Sequence, residues 1–457
     1  MKININNVSA IIFFTTLLLV SVGIDNGNVK SLMLLALIII VSIISIKKPA
    51  IGAIVLAGCI PLSGIIRWSD HGNLIAAGFV TVLIAALFSV ISIRKAYNYE
   101  KLEISSKSHE LILLPFICIL LIHIFMASES LELLFAMVRN YLIPLLAYFI
   151  FVAAIETKQD ITAKQDIVRK LIFGLYISAT FVMIINLMHY FFGLNISLSK
   201  YVISNEGNIA FRNYGFGHFP RMNHIIGFGS QGSGGVFYGI FLMLSIYLIP
   251  GAPLLKKVML VLAACLFLMS ILLIASISGF VTLILGFGLM ILIKYKKFLP
   301  ILTAPSIMLF ITTVFIIPIP AYDYSSIGSY AYYGFIHKFV VDIAAYPIYK
   351  IFLGNELGLA GGGLGYIMTT GFHDRWLFGA LLQLGIIAFF SMVGWYSYII
   401  YLAVKRYNFY GNNIGIVFSL IVFVAGLSYA HQAALMQPLF VYLLMMAGSI
   451  VCSFDKK

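Results

Sequence analysis

Residues 371–385 read GFHDRWLFGALLQLG and set a histidine, an aspartate and an arginine in a row, His373, Asp374 and Arg375, directly before a long apolar run. A helix start asks for one capping group, and three adjacent titratable or charged groups exceed that need. An imidazole with a pKa of about 6.5 is suited to accept a proton from a hydroxyl at neutral pH, and Asp374 stands where it can orient the ring. Arg375 brings a planar fork that grips phosphate oxygens in pairs. Two further arginines precede apolar runs: Arg139 before NYLIP, and Arg221 before the run GFGSQGSGG at 227–235. Helix N-termini present free N–H groups, and a Gly-rich approach lets backbone donors come close to an oxyanion. The chemistry this set could perform is diphosphate binding beside a proton acceptor. For any single arginine, headgroup anchoring is the plainer reading, and His373 alone could equally be an interfacial anchor. Three arginines on one face of a membrane favour the phosphate site.

The elements that must position these groups are membrane spans. The chain has 457 residues, 62% of them hydrophobic and only 10% charged, and its mean hydropathy is +1.05. Soluble domains carry roughly a quarter charged residues, so a soluble fold is excluded. Runs long enough to cross a hydrocarbon core fall at 8–24, 31–46, 50–66, 74–93, 111–127, 140–155, 171–192, 235–250, 258–275, 277–293, 299–318, 376–403, 414–430 and 435–452. The first run follows Lys2 and lacks a small-residue cleavage site, which predicts a retained helix. The boundary at ASISG, residues 275–279, is the one on which the count depends. The expectation is an all-α polytopic integral membrane protein of about fourteen transmembrane helices, forming one membrane-embedded domain over 1–457.

Positive charge orients the spans, because short cytoplasmic loops collect Lys and Arg. With the N-terminus inside, the inner segments hold 20 of the 29 basic residues and seven of the 16 acids, a net +13. The outer segments net to zero. The whole surplus is therefore a topology signal and calls for no nucleic-acid partner. Both termini are expected to be cytoplasmic, with two large periplasmic loops at 193–234 and 319–375. Long loops in a compact protein usually carry function. His373, Asp374 and Arg375 close the second.

Other groups weigh less. His337, Lys338, Asp342 and Lys350 lie earlier in the same loop, in a stretch spaced like an amphipathic surface helix. His123 lies within a span and His189 near the outer end of one, and both read most simply as structural. The tyrosines of the second loop, such as Tyr322, Tyr332 and Tyr346, suit sugar faces and the membrane interface equally. The four cysteines have no CxxC-like spacing, which suggests neither a disulfide framework nor a metal site. No Lys, Arg, Asp or Glu stands in the middle of a span, no interrupted-helix repeat marks alternating access, and no P-loop is present. These absences favour chemistry at the outer face over transport.

Three stretches carry a family resemblance: RNYLIPLLAYFIF (139–151), RMNHIIGFGSQGSGGVFYGIFL (221–242) and FLGNELGLAGGGLGYIMTTGFHDRWLFGALLQLGIIAFF (352–390). They resemble the bacterial O-antigen polymerase and O-antigen ligase superfamily. The last is the most specific, with a Gly-rich approach, His followed by Asp, an aromatic-Leu pair and a Gly-Ile turn further along. Arg221 with Gly232 fits an Arg, ten residues, Gly spacing. About a third of the chain carries recognisable pattern. The resemblance implies a metal-independent glycosyltransferase without a cofactor, joining undecaprenyl-diphosphate-linked oligosaccharides at the periplasmic face of the bacterial inner membrane. It implies that Arg221 holds the diphosphate and His373 sits at the reacting centre. Its partners would be that lipid-linked oligosaccharide, membrane lipid, a chain-length regulator and a flippase. One departure stands out: many members have Ser-Arg-Gly at the start of the tenth span, where this chain has ISG at 277–279. That leaves more for Arg139, Arg212 and Arg375 to do. Polymerase and ligase share the chemistry and differ in acceptor, and the span count and the Asp of HDRWL lean to polymerase. A lipid-linked oligosaccharide flippase is the rival from another class.

Overall fold

The computed structural model describes residues 49–68, 108–126, 141–156, 160–192, 231–274, 277–294, 347–354, 376–411, 413–428 and 438–454. Every element among them is a helix: α1 (Pro49–Trp68), α2 (Ser108–Met126), α3 (Ile143–Glu156), α4 (Ile161–Phe192), α5 (Gln231–Leu248), α6 (Leu254–Ile274), α7 (Ile277–Lys294), α8 (Ile348–Leu353), α9 (Trp376–Tyr410), α10 (Ile414–Ser428) and α11 (Pro438–Ser453). Each apolar run that falls on described residues is helical. The runs at 8–24, 31–46, 74–93 and 299–318 lie outside them, as do the termini and nearly all of the two long loops.

Among the described residues, three helical segments are long and apolar enough to cross a membrane: Ile161–Phe192, Leu254–Ile274 and Gly385–Tyr410. Their surfaces fit that setting. On α4 the stripe Phe173, Ile177, Phe181, Ile184 and Met188 is exposed, while Leu171, Leu175, Ala179 and Val182 are buried on the opposite side. A large apolar stripe turned outward is costly in water and costs nothing against lipid.

Two helices are longer than their apolar runs. Residues 161–170 were expected as loop, yet they form the first turns of α4. The reason is a cap: the carboxylate of Asp160 accepts from the Thr162 hydroxyl and, at 3.3 Å, from the backbone N–H of Ala163. Chain and cap then propagate the helix through polar sequence, with Lys170 paired to Asp166 one turn back. Hydropathy measures the length that crosses lipid, and a helix continues for as long as its backbone bonds are satisfied. At the other extreme, α9 runs on to Tyr410 and carries Lys405 and Arg406.

Packing depends on small residues, as expected where lipid removes the hydrophobic drive between helices. The start of α7 lies against α5 so closely that a Cβ on Gly279 would stand 3.1 Å from the backbone of Gly235, and one on Gly239 would stand 3.0 Å from Thr282 Cγ2. Further along, Gly286 faces Met243. The paired numbers rise together, so α5 and α7 are parallel. Since α6 follows α5 through the tight connection 249–253, the chain reverses on either side of 275–276, as the ASISG boundary required. Polar pairs staple α4 to α5: Asn186 Nδ2 donates to the Tyr238 hydroxyl at 2.5 Å, and the Tyr176 and Ser245 hydroxyls are 2.6 Å apart.

Candidate functional site

All six sequence-predicted site residues, His373, Asp374, Arg139, Arg212, Arg221 and Arg375, lie outside the described residues. What the structure does describe is the set of helices into which their segments lead, and the direction each helix takes. Lys164 Nζ, near the start of α4, donates to the carbonyl of Ser453 at the end of α11, 3.0 Å away. Gly415, at the start of α10, faces Val168 of α4 and Ile450 of α11. The Tyr410 hydroxyl donates to the Phe454 carbonyl at 3.2 Å. These contacts define one end of the bundle. There α3 ends, α4 begins, α5 turns into α6, α9 turns into α10, and α11 stops.

Eight of the ten Lys and Arg residues on described segments belong to this end: Lys164, Arg169, Lys170, Lys256, Lys257, Lys294, Lys405 and Arg406. It is the basic end. Helices α3 and α5 and the unbroken stretch of α9, Gly385–Tyr410, all run toward it, so all three start at the opposite end. Those are the helices expected to follow Arg139, Arg221 and Arg375. The structure therefore brings the three helix starts to one end of the bundle.

One feature of that end is described in atomic detail. Helix α9 breaks at Gly385, whose φ of 71° and ψ of 167° are non-helical, and the regular helix resumes after it. The end of the short helix α8 is pressed into this break. A Cβ on Gly385 would collide with Gly354 N and Phe352 O and would stand 2.6 Å from Leu353 C. Only glycine meets both demands, a positive φ and an absent side chain. The end of α8 is itself closed by glycine: Gly354, at φ 89°, donates its N–H to Lys350 O at 2.8 Å.

The carbonyl of Leu353 receives a bond from a third element. His123, near the end of α2 and 8% exposed, has its Nε2 2.6 Å from Leu353 O. A carbonyl only accepts, so the ring carries its proton on Nε2. His123 was read as structural from its position in a span, and nothing in the sequence reveals its partner. Gly385 carried a signal, because it is the glycine of the Gly-Ile turn in the stretch 352–390.

Elsewhere, Ser391 of α9 donates to the Ile112 carbonyl of α2, and Tyr396 to the Phe423 carbonyl of α10 at 2.6 Å. Among the described residues, no three His, Cys, Asp or Glu side chains gather as a metal ion requires. No protein-family model, no curated protein and no solved structure matches the chain.

Proposed function

We propose that this protein is an O-antigen polymerase of the bacterial inner membrane, joining undecaprenyl-diphosphate-linked repeat units at the periplasmic face. The observation that carries the reading is the common origin of α3, α5 and α9 at the end of the bundle opposite the basic one. The positive-inside tendency assigns the basic end to the cytoplasm, and the three helix starts then face the periplasm. Fixed cations near several helix N-termini suit a leaving group that gains negative charge.

The reaction is an inverting displacement. A hydroxyl of the acceptor glycan attacks the anomeric carbon of the donor, the new glycosidic bond forms, and the lipid diphosphate departs with the bonding electron pair. His373, oriented by Asp374, takes the hydroxyl proton. Arg221, with Arg139, Arg212 and Arg375, holds the diphosphate and stabilises its developing charge.

The test is genetic and direct. Loss of the gene should leave surface glycan capped with a single repeat unit, whereas bare core would indicate a ligase or a flippase instead. Arg221→Ala should abolish the long-chain ladder while the protein still inserts at normal levels. A normal ladder from that variant would remove Arg221 from the site.

A further inference from the structure

The meeting of α2, α8 and the break in α9 joins residues far apart in the chain. His123 and Leu353 are separated by 230 positions. Gly354 and Gly385 touch backbone to backbone. The contact is built from features that have no purpose singly: a histidine in an apolar helix, a six-residue helix, and a glycine that interrupts a membrane helix. A buried imidazole in such a setting is costly unless its N–H is satisfied. A backbone carbonyl at a helix end is likewise left without a helical partner. Each meets the other's need. The bond also lies within the contact between α8 and the break, since Phe352 O, Leu353 C and Gly354 N are the atoms that face Gly385.

We infer that His123 is a latch: by donating its Nε2 proton to the Leu353 carbonyl it seats the end of α8 in the break of α9 and fixes where the chain leaves α8. Through the backbone contact of Gly354 with Gly385, the same bond sets the geometry of the break itself. His123 is thus a positioning residue, acting through Leu353 and Gly354. In the polymerase reading, on which this last consequence rests, the latch anchors the near side of the segment 355–375 that ends in His373, Asp374 and Arg375. The latch itself stands whether or not that reading holds.

The experiment is hydrogen–deuterium exchange on the full chain in nanodiscs, comparing peptides that cover 348–354 and 385–390. Glutamine places an amide N–H at about the reach of a ring Nε2, and asparagine places one at the reach of Nδ1. His123→Phe and His123→Asn should each raise exchange in both peptides by roughly five- to tenfold, the equivalent of one lost hydrogen bond. His123→Gln should stay within about twofold of the unsubstituted protein. Gly385→Ala, which displaces Gly354 from the other side, should reproduce the His123→Phe pattern. Unchanged exchange in His123→Phe would overturn the latch, and so would a His123→Gln variant as fast as His123→Phe, because ring packing would then be the whole effect. Neither readout involves glycan synthesis, so failure of the latch and failure of the polymerase reading are distinguishable.

Discussion

At the scale of single residues, His373 and Arg375 should fail differently if they share one helix mouth in different roles. His373→Ala should lower turnover by about a hundredfold or more, the usual worth of a positioned base, while lipid-linked substrate is still retained. Arg375→Ala should weaken retention first, by roughly tenfold to a hundredfold, because a charge-assisted contact is made in the ground state as well as the transition state. Arg375→Lys should recover only part of this, since a point charge replaces a two-pronged grip. A reconstituted polymerisation assay with titrated repeat unit separates the two. Normal turnover in His373→Ala would move the base elsewhere. These residues stand out in the sequence because their chemistry is local, three polar neighbours against an apolar run, and they lie outside the described residues. His123 was not legible as a latch, because its acceptor is a backbone carbonyl that any residue at position 353 would supply.

At the scale of elements, two helices make measurable claims. The first turns of α4 depend on the Asp160 carboxylate, whose pKa is held below its ordinary value chiefly by the Thr162 hydroxyl, against a smaller opposing effect of desolvation. A depressed carboxylate stabilises the fold above its unfolded pKa and loses that contribution as pH falls through the folded one. Protection of the amides of 162–164 should therefore drop between pH 7 and pH 3. Asp160→Asn, which keeps an acceptor without the charge, should remove most of that pH dependence, and a full drop in Asp160→Asn would show that another group titrates. The second claim concerns α7. Gly279→Val should cost about 1–3 kcal/mol, because its side chain meets the backbone of Gly235. Gly288→Ala on the same helix, with nothing within 4 Å, should leave the thermal midpoint in detergent unchanged. Equal midpoints for the two variants would mean that α5 and α7 separate without penalty. Helix existence was legible here because twenty apolar residues in a row admit few other structures. Helix ends were not, because a cap such as Asp160 extends a helix through residues that hydropathy reads as loop.

At the scale of the whole molecule, the alternation of helix directions converts a charge count into a geometric statement. The bases at 164–170, 256–257, 294 and 405–406 are scattered in sequence and gathered at one end in space. In cells, a cysteine at Asp166 should resist a membrane-impermeant maleimide until lysis, and one at Phe192 should react at once. The background should lack Cys118 and Cys265, both of which are exposed. The reverse pattern would invert the bundle and place the three helix starts in the cytoplasm, away from any periplasmic substrate. The alternation of the described helices was legible in the sequence because charge is counted loop by loop, and the maleimide test decides which end is cytoplasmic; which helices touch was not legible, because apolar surfaces of similar composition fit many neighbours. The bond between His123 and Leu353 finally bears on how the molecule is made. At 5–20 residues per second, the ribosome needs on the order of ten to fifty seconds to travel the 230 positions between them. For that interval α2 is in place while its imidazole has no Leu353 carbonyl to meet, and the bundle cannot lock at this corner until α8 has been synthesised. A nascent chain stopped short of residue 353 differs from the finished one by an unsatisfied polar group at a membrane helix, which is the kind of difference that membrane proteases and insertion chaperones sense.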